Sequence, residues 1–396
     1  MVRKWKKWQN PDNDKEKRLK AIINSVKAYI VRLNFRRDYN MIKMEEYIKL
    51  SGDLIERNIT FFKKMAKFNE MIISPPDVKV GQTPAEIVYR KHKVKLLRYI
   101  PQKETLYKTP ILIVYALINR PYIVDLLPGR SIVEVLVKNG YDVYLVDWGE
   151  PTESDSKHGL HKYINFYLDK MVDKTLEIRE AEKLTVLGYC MGGTMSLIYT
   201  ALYREKVKNL ITMATPFDCS SNEGLLFQWS KDFPAAEIEQ IYGNCPGWLM
   251  ASSFLLINPM KQIDKGFDFH NGILNPSFVE LFLAMEKWLR DIIDLPGRLY
   301  TEIIEDWFQK NLLMENKFVL GNKKVDFKKI TCPYLNLVAD EDTSIPPSSS
   351  IVIGDKIGSR DKTLMTSPVG HIGLSVSGKA LKKLWPEVVD WLRERS

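Results

Sequence analysis

Apolar positions in this chain change period along its length, and the changes mark out its parts. Near the start, Leu19, Ile22, Ile23, Val26, Tyr29, Ile30 and Leu33 recur at helical spacing, and a second stripe runs through Met44, Ile48, Ile55, Ile59, Phe62 and Met65. The spacing predicts two amphipathic helices whose apolar faces either cover a core or dock another subunit. Between Glu86 and Tyr99 the pattern is that of a short hairpin, and from Ile111 short apolar runs alternate with helical stretches. Strands are predicted at 111–117, 142–146, 184–187, 209–213, 334–338 and 363–365. Helices are predicted at 131–138, 164–180 and 191–203, with a last one at 378–395 packing through Leu381, Leu384, Val388 and Leu392. Buried strands separated by helices imply a mostly parallel sheet covered on both faces, an α/β fold.

The alternation breaks between about Thr215 and Pro333. Residues 216–330 hold eleven of the sixteen phenylalanines and four of the nine tryptophans, a bias that favours a folded apolar cap over a solvated loop. An ordinary helical excursion with its own small core is the other reading. The expected organisation is an N-terminal helical region at 1–75, an α/β core at 76–215 and 331–396, and an inserted cap at 216–330.

Composition narrows the class. With 45% apolar and 27% charged residues, the 396-residue chain is that of a globular protein able to build a large core. Apolar runs stay short of the roughly 18–20 residues that span a bilayer, and Met1-Val-Arg-Lys-Trp-Lys-Lys-Trp8 lacks a secretory apolar core, so a cytoplasmic protein is expected. The first 20 residues carry eight Lys or Arg against three Asp or Glu, which reads as a solvated terminus or as a surface anchor using Trp5 and Trp8. A net charge of +9 is spread along the chain without a nucleic-acid-binding module, so no nucleic acid is expected. Cys190, Cys219, Cys245 and Cys332 are too scattered for a zinc site or a disulfide framework, and the His158-x-x-His161 spacing lacks partners for a metal. Neither metal nor cofactor is expected.

The chemistry concentrates in Leu184-Thr-Val-Leu-Gly-Tyr-Cys-Met-Gly-Gly-Thr194, an apolar run that ends in Gly-x-Cys-x-Gly and continues as a helix. A nucleophile on such a strand-to-helix elbow leaves room for only small residues two positions before and after it, which Gly188 and Gly192 supply. Cysteine here in place of serine gives a thioester, which retains enough energy to acylate an alcohol. The helix N-terminus and a histidine base would raise the thiolate fraction. Of five histidines, His371 lies in the glycine-flanked loop Ser367-Pro-Val-Gly-His-Ile-Gly373 after the last strand, where this architecture presents its base. His92 reads as exposed in the hairpin, and His270 falls in the cap. The acid belongs to Leu337-Val-Ala-Asp-Glu-Asp-Thr-Ser-Ile-Pro346, with Asp342 the first choice and Asp340 the second; a turn cap is the structural alternative for Asp342. The order Cys190, Asp342, His371 is that of the α/β-hydrolase triad. An oxyanion hole would use the backbone N–H of Met191 and one from Ile118 or Asn119.

These residues resemble those of polyhydroxyalkanoate synthases. The resemblance runs from about Glu86 to the end and rests on Gly188-Tyr-Cys-Met-Gly-Gly-Thr194, Val114-Tyr-Ala-Leu-Ile-Asn-Arg-Pro-Tyr122 and Val146-Asp-Trp-Gly-Glu-Pro151. It also includes Ala214-Thr-Pro-Phe-Asp218, Pro246-Gly-Trp248 and Gly370-His-Ile-Gly373. The length is similar to that of the class III and class IV types. The resemblance implies polymerisation of (R)-3-hydroxyacyl-coenzyme A, with 3-hydroxybutyryl-coenzyme A as the expected monomer, and release of coenzyme A at a polyester granule surface. A small accessory subunit and a homodimer are implied as partners. Asp342 would orient His371 or help to activate a 3-hydroxyl group. Trp248 and Tyr189 are the expected channel residues, and Asp147 and Trp148 are expected to serve loop structure. The rival readings are a thioesterase or intracellular depolymerase using the same triad, and a granule scaffold without activity.

Overall fold

The computed structural model describes residue 24 and residues 41–396 apart from 75, 105, 221, 222, 258 and 259. The stripe from Leu19 to Leu33 and the Trp5–Trp8 segment lie outside the described residues. The chain falls into two units, divided between Pro76 and Asp77. In the first, the second stripe lies on one long helix, α1 (Met41–Ile73). Its Leu50, Leu54, Phe61, Phe62 and Ile72 are exposed.

In the second unit, eight strands form one sheet. They are β1 (Ala85–Lys91), β2 (Val94–Tyr99), β3 (Ile111–Val114), β4 (Val143–Asp147), β5 (Leu184–Tyr189), β6 (Val207–Met213), β7 (Tyr334–Ala339) and β8 (Lys362–Ser367). Their spatial order is β1-β2-β4-β3-β5-β6-β7-β8. The β1–β2 and β2–β4 pairs are antiparallel, and the others are parallel. Every residue of β3, β5 and β7 is buried, as expected for strands covered on both faces. Edge strand β8 alternates between exposed and half-buried positions instead.

Helices α2 (Ile132–Lys138), α3 (Asp169–Arg179), α4 (Met191–Leu202) and, later in the chain, α10 (Gly378–Arg393) cover the sheet. The Ser131 hydroxyl starts α2 by accepting from the Glu134 N–H at 2.8 Å, and Ser377 starts α10 by accepting from Ala380 at 3.0 Å. The helix predicted at 164–180 begins at Leu160 and passes through a π turn at Tyr163–Leu168 before α3. The strand predicted at 111–117 stops at Val114, which leaves Tyr115 to Asn119 as loop.

Between β6 and β7 run α5 (Leu225–Ser230), α6 (Ala235–Tyr242), α7 (Gly247–Ile257), α8 (Met260–Gly272) and α9 (Pro276–Arg290). This insertion shares most of its buried apolar residues with the sheet. Phe217, Leu299, Trp307, Phe318 and Phe327 join the hydrophobic core of the sheet, and a small separate cluster holds Cys219, Phe227 and Ile345. His92 is exposed, as expected, with its ring stacked 6.1 Å from Phe166 and Nδ1 3.2 Å from the Tyr167 hydroxyl.

Candidate active site

Cys190 sits between β5 and α4 with φ 55° and ψ −127°, a left-handed conformation that a side chain adopts only under constraint. The constraint is visible. A Cβ on Gly188 would collide with Gly193 Cα and Ser196 Oγ, one on Gly192 with the Val114 carbonyl, and one on Gly193 with Thr215. The Cys190 N–H donates to the Met213 carbonyl at 2.9 Å, and its carbonyl accepts from Gly193 at 2.8 Å. The turn is thereby pinned from β6 and from its own helix. Met191 opens α4, so its N–H has no acceptor within the helix.

His371 and Asp342 arrive from the loops after β8 and β7. His371 Nδ1 lies 2.6 Å from Asp342 Oδ2. The other carboxylate oxygen accepts the N–H groups of Ser344 and Ile345, both at 2.9 Å, so the carboxylate caps a turn and orients the ring at once. Asp342 is buried while Asp340 is exposed, so the structure brings the first choice and not the second to the histidine. Burial by itself would lower the His371 pKa. The Asp342 carboxylate, the neighbouring Cys190 sulfur and the hydrogen bonds to both outweigh it and hold the imidazolium well above its ordinary range.

A cavity of about 1050 Å³ opens over this group. Cys190, Met191, Asp342 and His371 line it together with Tyr115, Ala116, Ile118 and Asn119. The insertion supplies an aromatic wall that includes Trp229, Phe233, Phe254 and Trp288, interrupted by the Lys265–Glu286 ion pair. Trp248 belongs to this lining and is 61% exposed, which places it where cavity and solvent meet.

Tyr189 is a correction. It was expected in the channel, but it is fully buried and is not among the lining residues. Side chains alternate along a strand, so with Gly188 facing α4, Tyr189 points to the opposite face and lies beneath His371. Ile118 and Asn119 do line the cavity, and the Ile118 carbonyl accepts from Ile293 at 3.0 Å. The backbone touching the elbow is nevertheless that of Val114 and Tyr115. Trp148, read from sequence as a loop residue, holds this segment by donating its indole N–H to the Tyr115 carbonyl at 2.9 Å.

The remaining histidines lie elsewhere. His158 Nδ1 is 3.0 Å from Asp155 Oδ1, His161 lies against Gly321, and His270 is exposed on α8. Burial pushes Cys332 up to about 11, Cys245 up to about 12 and Cys219 well above its ordinary value.

Residues 109–377 match the alpha/beta hydrolase fold family, and residues 45–136 match the N-terminus of poly-beta-hydroxybutyrate polymerase (PhaC). Among solved structures, a monoacylglycerol lipase from Paleococcus ferrophilus superposes with a TM-score of 0.50 at 16% identity, over 76% of this chain and 99% of that one. That likeness concerns the fold. In sequence, the chain is 42% identical over 323 residues to the poly(3-hydroxyalkanoate) polymerase subunit PhaC of Haloferax mediterranei, covering 81% of this chain and 66% of that protein. It is 38% identical to the PhaC subunit of Thiocystis violacea, over 87% of this chain and 97% of that one, and 38% identical to that of Synechocystis, over 90% and 95%. The chain thus spans about two thirds of the haloarchaeal protein and nearly all of the two bacterial ones. An α/β-hydrolase sheet, a cysteine at its nucleophile elbow and this extent of identity make the chain a member of the poly(3-hydroxyalkanoate) polymerase subunit family, acyltransferases by activity.

Proposed function

We propose that the protein polymerises (R)-3-hydroxyacyl-coenzyme A, with 3-hydroxybutyryl-coenzyme A as monomer, through an acyl group carried on Cys190. The observation that carries this reading is the cysteine elbow beside the His371–Asp342 pair, opening into an aromatic cavity. With Nδ1 held by Asp342, the Nε2 atom of His371 takes the thiol proton, and the sulfur attacks the thioester carbonyl. The oxyanion is met by the N–H of Met191 and by one N–H of the loop after β3, from Ile118 or Asn119. Coenzyme A leaves with the proton from His371, and Cys190 keeps the acyl group. A 3-hydroxyl then attacks that thioester, giving its proton to His371; the ester bond forms, and the cysteine sulfur leaves and regains a proton.

Water is the competing acceptor at that step. Aromatic walls lower its concentration around the thioester, which favours transfer over hydrolysis. The relatives named above are polymerase subunits, and the reading carries over to this chain a small accessory subunit, a homodimer and a place at the polyester granule surface in the cytoplasm. No helix among the described residues is long and apolar enough to cross a membrane. Purified protein given 3-hydroxybutyryl-coenzyme A should release coenzyme A, form insoluble polyester and carry an acyl adduct at Cys190, all lost in Cys190→Ala. Release of the monomeric acid alone would make it a thioesterase. An unchanged turnover in Cys190→Ala would remove the nucleophile from the scheme.

A further inference from the structure

His371 stands in a loop flanked by Gly370 and Gly373, where the backbone has few intrinsic restraints. A base must be held to within a few tenths of an ångström to take a proton from a thiol efficiently. Asp342 fixes one edge of the ring and a Gly373-to-Gly370 backbone bond at 2.9 Å closes the loop around the histidine, but neither engages the His371 carbonyl. A further restraint comes from beneath. The phenolic O–H of Tyr189 donates to the His371 carbonyl at 2.9 Å, and the two rings stack with centroids 5.5 Å apart and planes 30° from parallel.

Tyr189 is itself immobile. It is the last residue of β5, is fully buried, and packs edge-on against Tyr115 at 5.3 Å between centroids. Tyr115 lines the cavity, and its carbonyl takes the Trp148 indole N–H. The three rings Tyr115, Tyr189 and His371 therefore pack in series, edge-on and then stacked, and join the loop after β3 to the loop carrying the base. A phenylalanine would fill the same space. It would leave the His371 carbonyl without this donor.

We infer that Tyr189 is a positioning residue for the base: its hydroxyl sets the backbone of His371, and through it the reach of the imidazole toward Cys190 and Asp342. The inference deepens the proposed mechanism and rests on it for the role of His371, but it can be tested without substrate. The probe is Tyr189→Phe in the full-length protein, read by the rate of Cys190 alkylation with iodoacetamide across pH and by the NMR titration of the His371 imidazole. Folding is checked by circular dichroism and by the melting temperature, and rates are compared well below the melting temperature of the variant. Alkylation should slow by about tenfold near neutral pH, the scale of one lost hydrogen bond. The His371 titration should move down toward that of an ordinary imidazole as its contact with Asp342 loosens. A folded variant with wild-type alkylation and an unmoved titration would overturn the inference, and so would a lowered melting temperature with both readouts unchanged, since the hydroxyl would then serve the fold alone. Failure of the wild-type protein to turn over 3-hydroxybutyryl-coenzyme A would defeat the functional reading while leaving this result standing.

Discussion

Four thiols share this chain, and their surroundings separate them. Cys219 and Cys245 are buried, and the depth of Cys332 already suffices to keep it protonated, with burial pushing the latter two up to about 12 and about 11. Cys190 instead opens to the cavity, at a helix N-terminus and beside an imidazole. Because the thiolate is the reacting form, alkylation at pH 8 with limiting iodoacetamide should place a single adduct at Cys190. Peptide mass mapping checks this. Comparable labelling of Cys332 would show that burial, as described, does not control reactivity. Protection of Cys190 by prior incubation with the acyl thioester would tie the reactive sulfur to the substrate.

At the scale of elements, the elbow is the feature on which the site depends. Gly192 lies so close to the Val114 carbonyl and the Tyr115 backbone that an added methyl group must displace β3 or tilt α4. Gly192→Ala should therefore destabilise the protein by about 1–3 kcal/mol, the usual cost of overpacking, and slow acylation further by moving the loop after β3. Gly266, on α8, has nothing within 4 Å of where its Cβ would be, so Gly266→Ala should leave stability unchanged or raise it. Urea titration of both variants decides the matter, and equal effects would refute the steric account. This elbow was legible in sequence because it is a local steric demand written in consecutive residues: glycine, any residue, cysteine, any residue, glycine. The order of Asp342 and His371 was legible because each follows a strand recognisable by its apolar run. Tyr189 was misread, although the signal was present. In a strand with period two, a glycine that must face the helix sends its neighbour to the other face. The join between Trp148 and Tyr115 had no such signal, because it links residues 33 apart in sequence through a side-chain bond that no pattern encodes.

At the scale of the whole molecule, the insertion between β6 and β7 shares most of its buried apolar residues with the core of the sheet, and a small separate cluster holds Cys219 and Phe227. Trp288, a residue of the aromatic wall over Cys190, belongs to the same hydrophobic core as Trp307, Leu299, Phe318 and the strands, so the wall shares part of its stability with the fold. The acid and base loops, which also line the cavity, make a global contribution of their own. The His371 pKa is raised in the folded protein, chiefly because the Asp342 and Cys190 charges outweigh the cost of burial, whereas the unfolded chain holds an ordinary histidine near about 6.5. The native state then keeps a proton that the unfolded state has lost between those two values. Stability from this pair is complete below about pH 6.5 and is lost as pH rises through the folded pKa, with a slope of at most about 1.4 kcal/mol per pH unit for one proton. Denaturant unfolding of the wild-type protein should show that decline above neutral pH. His371→Gln should flatten it, and Cys190→Ala should retain most of it, because Asp342 supplies the leading favourable charge. A decline of equal slope in His371→Gln would assign it to other groups, and the coupling of catalytic pair to fold would have to be abandoned.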